Sequence, residues 1–221
     1  MELGVATSGE DIYVKVAVFV ILVFAIVFHE VAHGFVAYLN GDPTAKLEKR
    51  ITLNPIAHID PIGSIIVPIL TFYILRFPFG WARPVPVNPL NYKRRVFGDI
   101  TVSLAGVTAN FLFSLVLAAL IHLTPEKSIN RQVLLLGVVL NCALFTFNLI
   151  PLPPLDGSHI FKYLLPRSVR LSYLRLGTVG VIILLVIMYT LQKQGLHIEF
   201  GIIGYVAYIV LFLTGHGWMG F

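Results

Sequence analysis

An all-α membrane protein, a polytopic bundle of five to six helical segments, is the fold class this sequence predicts, and three observations predict it. The mean hydropathy is +0.86, and 57% of the 221 residues are hydrophobic against 12% charged, more apolar than a water-soluble domain tolerates. The charge that exists is confined to short stretches between long apolar runs. Those runs have the length a helix needs to cross a hydrocarbon layer about 30 Å thick. The formal net charge of +5 sits beside apolar spans rather than on an aromatic-interleaved surface, so anionic lipid is the expected counterpart and nucleic acid is not.

Taken in order, the first run covers 12–39. Acidic Glu2, Glu10 and Asp11 precede it with no basic stretch, and ionisable residues lie near its far end, so it is not read as a cleaved signal peptide. Further spans are expected at 98–123, 131–150, 173–191 and, somewhat short, 200–214. A sixth run, 62–77, is interrupted at Pro68 and followed by Arg76, Pro78, Gly80, Pro84, Pro86 and Pro89, a density of helix breakers that predicts a re-entrant segment. Segments 45–56 and 82–89 read as extended chain at the cytoplasmic face, the second too proline-rich for a central strand. Cys142 is the only cysteine and lies inside an apolar run, which excludes an internal disulfide or a cysteine-based metal site.

Charge sets the orientation. Lys46, Lys49, Arg50, Arg83, Lys93, Arg94 and Arg95 lie between the first span and 98–123, and Lys162, Arg167, Arg170 and Arg175 follow 131–150. Both regions should be cytoplasmic, with the N-terminus and the connections 124–130 and 192–199 outside. This holds only if 62–77 does not cross. The chain therefore reads as one membrane-embedded domain over 1–221, with a core at about 12–160 and accessory helices at about 173–214.

At the far end of the first run stand His29, Glu30, Val31, Ala32 and His33, an HExxH pattern. Residues four apart on a helix are about 40° apart in projection, so the two imidazoles share a face and can chelate one ion, flanked by Glu30. Three ionisable groups so close together in a membrane helix mark an ion or catalytic site rather than packing. A hydrolytic zinc takes three protein ligands and leaves one position open. Glu48 sits in a solvated charge run, Asp42 caps the turn NGDP, Asp60 lies in HIDP, Asp99 reads as a helix start, and Glu126 and Glu199 fall on the outer side. Val36 and Leu39 occupy the places where a longer HExxHxxGxxH pattern needs glycine and histidine. Asp156 remains, closing FNLIPLPPLDG (147–157), where prolines and Gly157 break a helix at the cytoplasmic side. If 62–77 does not cross, Asp156 reaches the same face as His29 and His33.

Three elements together, HEVAH (29–33), GVTAN (106–110) and NLIPLPPLDG (148–157), resemble the site-2 protease family of intramembrane zinc metalloproteases, over about 28–160. Val107 departs from the proline many relatives carry. The resemblance is to short prokaryotic-type members without a PDZ or CBS domain. It implies one Zn²⁺ per chain on His29, His33 and Asp156, Glu30 as catalytic acid and base, and Asn110 supporting substrate or transition state. It further implies transmembrane protein substrates cut in or next to their spans, in a multi-pass protein of the cell membrane with its site toward the cytoplasm. Without the motif, Asn110 would read as interhelical glue. Asn148 either holds the proline-rich turn or supports the ligand Asp156 from behind. His58 and Asp60 either pack their loop, line a water path or bind a second ion, with His58 a candidate for substrate contact or for support behind the ligands; Asn141 bonds between helices, and His122, His197 and His216 are interfacial. His159 reads as a solvated histidine, with support of Asp156 as the other reading. Two rival functions use the same ligands, a metal-ion transporter and a catalytically silent membrane scaffold. The pairing of Glu30 with two imidazoles speaks against the first, and the intact set of four residues against the second.

Overall fold

The computed structural model describes residues 9–75, 80–193 and 198–215; Glu2, Arg76, Pro78, His197 and His216 lie outside them. The described residues form α1 (Gly9–Leu39), α2 (Thr44–Leu47), α3 (Val67–Leu75), α4 (Arg95–Ile121), α5 (Ile129–Asn148), α6 (Asp156–Phe161), α7 (Arg167–Leu174), α8 (Gly177–Lys193) and α9 (Ile198–Leu213), with no strand among them. α1, α4 and α5 are each long and apolar enough to cross a bilayer. The protein is an all-helical, multi-pass membrane protein.

The three long helices carry the expected spans 12–39, 98–123 and 131–150, each beginning a few residues earlier than the apolar run. Polar residues extend the starts: Ser128 caps α5 by accepting a hydrogen bond from the Asn130 N–H at 3.2 Å. α4 packs on both α1 and α5, and α9 closes on α5 and α4. Leu117, Ala118 and Ile121 of α4, Val138 and Cys142 of α5, and Ala207, Val210 and Leu211 of α9 form the buried core. Cys142 is thus a packing residue. Gly137 permits the close approach of α5, since a Cβ there would stand 3.0 Å from Ile21 and 3.1 Å from Leu117.

Toward the C-terminus the expected 173–191 run is divided. α7 and the apolar stretch Val179–Ile187 of α8 are bent by 69° to each other. The break falls at Arg175 and Leu176, between a polar helix opened by Pro166 and an apolar one. α8 has 17 residues and α9 has 16, each spanning about 25 Å.

Between α1 and α4 the expected extended segment 45–56 is helical at its two ends, 45–47 and 55–56, and without regular structure at 50–54. α2 follows Pro43, and a 3₁₀ turn spans Pro55–His58, capped by Asn54, whose side chain accepts from the Ile56 N–H at 3.1 Å. Local capping chemistry overrides the extended reading there. Segment 80–88 does run without regular structure, ending in a 3₁₀ turn at Pro89–Asn91. Pro68 does not interrupt its helix. Residues Ile62–Ile66 form a π-helical turn that runs directly into α3, so the residue five before Pro68, Gly63, is the one whose carbonyl loses a donor. The Trp81 N–H supplies it at 3.0 Å, and the Arg83 N–H donates to the His58 carbonyl at 2.9 Å. The two ends of 62–80 therefore lie side by side, and Gly80 fits against Gly63 and Pro68 where a Cβ would overlap both.

Candidate metal centre

His29 and His33 present their Nε2 atoms 3.0 Å apart, with ring planes at 85°. Each ring is held from behind: His29 Nδ1 lies 2.7 Å from Asn110 Oδ1 and His33 Nδ1 lies 2.7 Å from the Val102 carbonyl. Both partners are acceptors, so each Nδ1 carries the proton and each neutral Nε2 a lone pair. Asp156 Oδ2 stands 3.2 Å from His29 Nε2 and 3.4 Å from His33 Nε2, buried and without a hydrogen-bond partner. Three lone pairs facing one another repel unless a cation sits between them. Bonds of about 2.0–2.2 Å in a tetrahedral zinc site place ligand atoms about 3.3 Å apart, and the three edges here are 3.0, 3.2 and 3.4 Å. The donor set fits zinc. It is the one such histidine, cysteine and carboxylate group among the described residues.

Local sequence explains the convergence. Val102, Gly106 and Asn110 recur every four residues on α4 and form one stripe under the rings. A Cβ at Gly106 would stand 2.5 Å from His33 Nε2 and 2.7 Å from His29 Nε2, so only glycine lets the α4 backbone approach. Asp156 opens α6 after the proline-rich loop; Gly157 lies so close to the Leu149 and Ile150 carbonyls that a side chain would overlap them. The loop is braced from beyond by the Tyr173 hydroxyl, which donates to the Pro151 carbonyl at 2.9 Å, and by Gly180, packed on the Pro153 carbonyl.

Glu30 is not one of the three clustered groups; its Oε2 accepts from the Val85 backbone N–H at 2.8 Å. Val85 belongs to the 80–88 segment, which lies across α1 where Gly34 has no side chain; a Cβ there would meet Val85 Cγ1 at 2.8 Å. The far end of this strap is pinned by buried Asp42, which accepts from the Asn88 N–H at 2.6 Å, Asn91 Nδ2 at 2.8 Å and the Thr44 hydroxyl at 2.5 Å. Burial pushes the Asp42 carboxyl up, but the bonds from Asn88, Thr44 and Asn91 outweigh it and keep it below the usual range. The predicted turn cap thus also fastens the strap.

The remaining candidates are placed differently. Asn110 is fully buried, with Nδ2 donating to the Ala25 carbonyl at 3.1 Å and lying 3.4 Å from Asn141 Oδ1, so its amide faces His29 and protein rather than open space. Asn148 donates to the Leu144 carbonyl of its own helix at 3.0 Å, a bond that reaches neither the proline-rich turn nor Asp156. His58 is buried against the Thr52 carbonyl at 2.9 Å and belongs to the loop, while Asp60 accepts from the Ile62 and Gly63 N–H groups and caps the π-helical turn. Asp99 is no helix start; it lies inside α4, where Lys162, Tyr163 and His159 meet it.

The Peptidase family M50 model matches residues 122–191, the stretch that holds Asn148 and Asp156. A Bacillus subtilis protein named "Putative zinc metalloprotease YwhC" is 39% identical over 178 residues, covering 76% of this chain and 78% of that one. The chain belongs to peptidase family M50. A second relative, the Mycolicibacterium smegmatis protein named "Putative zinc metalloprotease Rip2", is 28% identical over 151 residues, 66% of this chain and 56% of that one. No solved structure matches. This M50 chain, of the site-2 protease family as its motifs suggested, is a membrane zinc metalloprotease.

Sequence reasoning missed Val102, Val85 and Asp99 as parts of the site, and it quoted Gly106 within GVTAN without giving that residue a role. The four-residue spacing of Val102 and Gly106 with Asn110 was a usable signal; the backbone groups of Val85 and Val102 carry none. Because Asn110 orients a ring in this M50 site, Asn110→Ala should lower zinc affinity by about 10- to 100-fold, as loss of a partner behind a ligand does. Zinc competition against a chelator measures it. Wild-type affinity with slowed cleavage would instead return Asn110 to a substrate or transition-state role.

Proposed function

We propose that this protein hydrolyses peptide bonds within or next to transmembrane segments of membrane proteins, as an intramembrane protease of regulated proteolysis. One Zn²⁺ per chain is held by His29, His33 and Asp156, Glu30 is the acid and base, and Asn110 steadies His29. The observation that carries the reading is the depth of the convergence: His29 and His33 lie within the 31-residue apolar α1, about 30 and 36 Å from its first residue and about 15 and 9 Å from its last. A site built there meets substrate from the lipid side.

Zinc bound there supplies a Lewis acid for a carbonyl oxygen and lowers the pKa of water to about 7. The protein's own groups do the rest. Glu30, one oxygen fixed by the Val85 N–H, takes the proton of the attacking water on the other and returns it to the leaving amine. A helical substrate hides its carbonyls in internal hydrogen bonds, so it must unwind locally, and the 80–88 strap beside Glu30 offers extended backbone to receive it. In this reading 62–77 is re-entrant, five other segments cross the cell membrane as a single domain, and the site opens to the cytoplasm. The side-by-side ends of 62–80 and the basic connections support that topology.

The test is cleavage of a single-span substrate co-reconstituted in liposomes, with the cut mapped by mass spectrometry. Cuts should fall inside or within a few residues of the substrate's apolar stretch, nearer the membrane face that carries Glu48 and Lys162. Cuts confined to water-soluble domains would exclude an intramembrane role.

A further inference from the structure

Beyond the metal centre, a buried polar cluster joins the first turns of α4 to α6 and to the 3₁₀ turn Lys162–Leu164 that continues it. Asp99 is only 5% exposed. Lys162 Nζ pairs with its Oδ2, and the Tyr163 hydroxyl donates to the same oxygen at 2.8 Å. His159 Nδ1 lies 3.8 Å from Asp99 Oδ1 and 3.4 Å from Lys162 Nζ. Burial and the bond to Asp99 push the Tyr163 phenol up to about 12, so it remains a donor. Arg170 fixes the backbone beyond, donating through Nε to the Leu165 carbonyl at 3.0 Å and through its terminal nitrogen to the Tyr163 carbonyl at 3.2 Å.

A buried ion pair contributes little net stability, because desolvation offsets most of the attraction. What it contributes is direction: a carboxylate with two donors on one oxygen fixes distance and angle, where apolar contacts allow sliding. Here direction matters. α6 has six residues, too few to hold a helix without tertiary contacts, and its first residue is Asp156. α4 carries both Asp99 and, one turn further on, the Val102 carbonyl that holds His33. The same two elements therefore meet twice, once at the metal centre and once at Asp99, and metal bonds tolerate only about 0.2 Å of error.

We infer that Asp99 is a positioning residue for the metal centre: its grip on Lys162 and Tyr163 fixes α6 against α4 and so sets where Asp156 Oδ2 stands relative to the two imidazoles. This rests on the reading of His29, His33 and Asp156 as the zinc ligands.

The experiment measures zinc affinity of the full chain in nanodiscs by chelator competition, alongside thermal stability of the zinc-free protein. Asp99→Asn and Lys162→Met should each lower zinc affinity by about 10- to 100-fold, and the double variant should lose no more than either alone, because both cut one link. Lys162→Arg should keep affinity within about threefold of wild type, since it keeps the pair. Val138→Ala, in the distant core, should lower thermal stability while leaving affinity unchanged, which separates positioning from general destabilisation. Wild-type affinity in Asp99→Asn overturns the inference, as do additive losses in the double variant. If Asp99→Asn does not fold, wild-type affinity in both Lys162→Met and Tyr163→Phe overturns it equally. Full affinity in Asp156→Ala would instead sink the ligand assignment itself.

Discussion

Replacing Glu30 by Gln should leave zinc content and thermal stability close to wild type while cleavage of a membrane-spanning substrate falls by on the order of a hundred-fold or more, the share that acid and base help alone contributes. The geometry explains why fold and metal should survive. Glu30 is not one of the three clustered groups, and it accepts from the Val85 N–H at 2.8 Å; a glutamine carbonyl can accept that bond, so the strap stays seated. Lost are the second carboxylate oxygen that takes a proton from water and the acid that returns it to the leaving amine. A substrate helix weakened near its cytoplasmic end keeps unwinding from masking the chemical step, and chelation should abolish wild-type cleavage until zinc is restored. Wild-type rates from Glu30→Gln would remove the proteolytic mechanism. Metal loss in that variant would make Glu30 a ligand.

The three long spans and the meeting of His29, His33 and Asp156 were legible because each is written in a local pattern. Apolar length marks α1, α4 and α5, the four-residue spacing puts His29 and His33 on one face, and the prolines before Asp156 force a break where a third ligand is needed. Partners supplied by the backbone were not legible: the Val102 carbonyl behind His33 and the Val85 N–H on Glu30 can come from any residue type. Pro68 misled because a proline in a helix signals interruption only when the freed carbonyl finds no other donor, and Trp81, thirteen residues on, supplies one. The division of 173–191 escaped because apolar length does not report direction, and a bend at Arg175 and Leu176 leaves composition unchanged. Asp99 read as a helix start since an acid beside an apolar run is usually a cap; that it turns inward to Lys162 and Tyr163 is decided by residues more than sixty positions away.

Asp156→Ala should show the largest effect on metal, a loss of more than about 100-fold in zinc affinity, because two imidazoles alone leave half of a tetrahedral site to solvent. Its effect on stability should depend on zinc in a way that identifies a ligand. With zinc at a hundred times its dissociation constant, the wild-type fold gains about 2.7 kcal/mol from binding, and the variant should lose nearly all of it. With zinc removed the sign should differ. Asp156 Oδ2 is then a buried carboxylate oxygen with no hydrogen-bond partner, 3.2 and 3.4 Å from two imidazole nitrogens, so deleting it removes a desolvated group and no hydrogen bond. The zinc-free variant should therefore melt no lower than zinc-free wild type. A packing residue at the same place would destabilise both forms alike, so parallel losses with and without zinc, or full zinc retention, would show that the third ligand lies elsewhere.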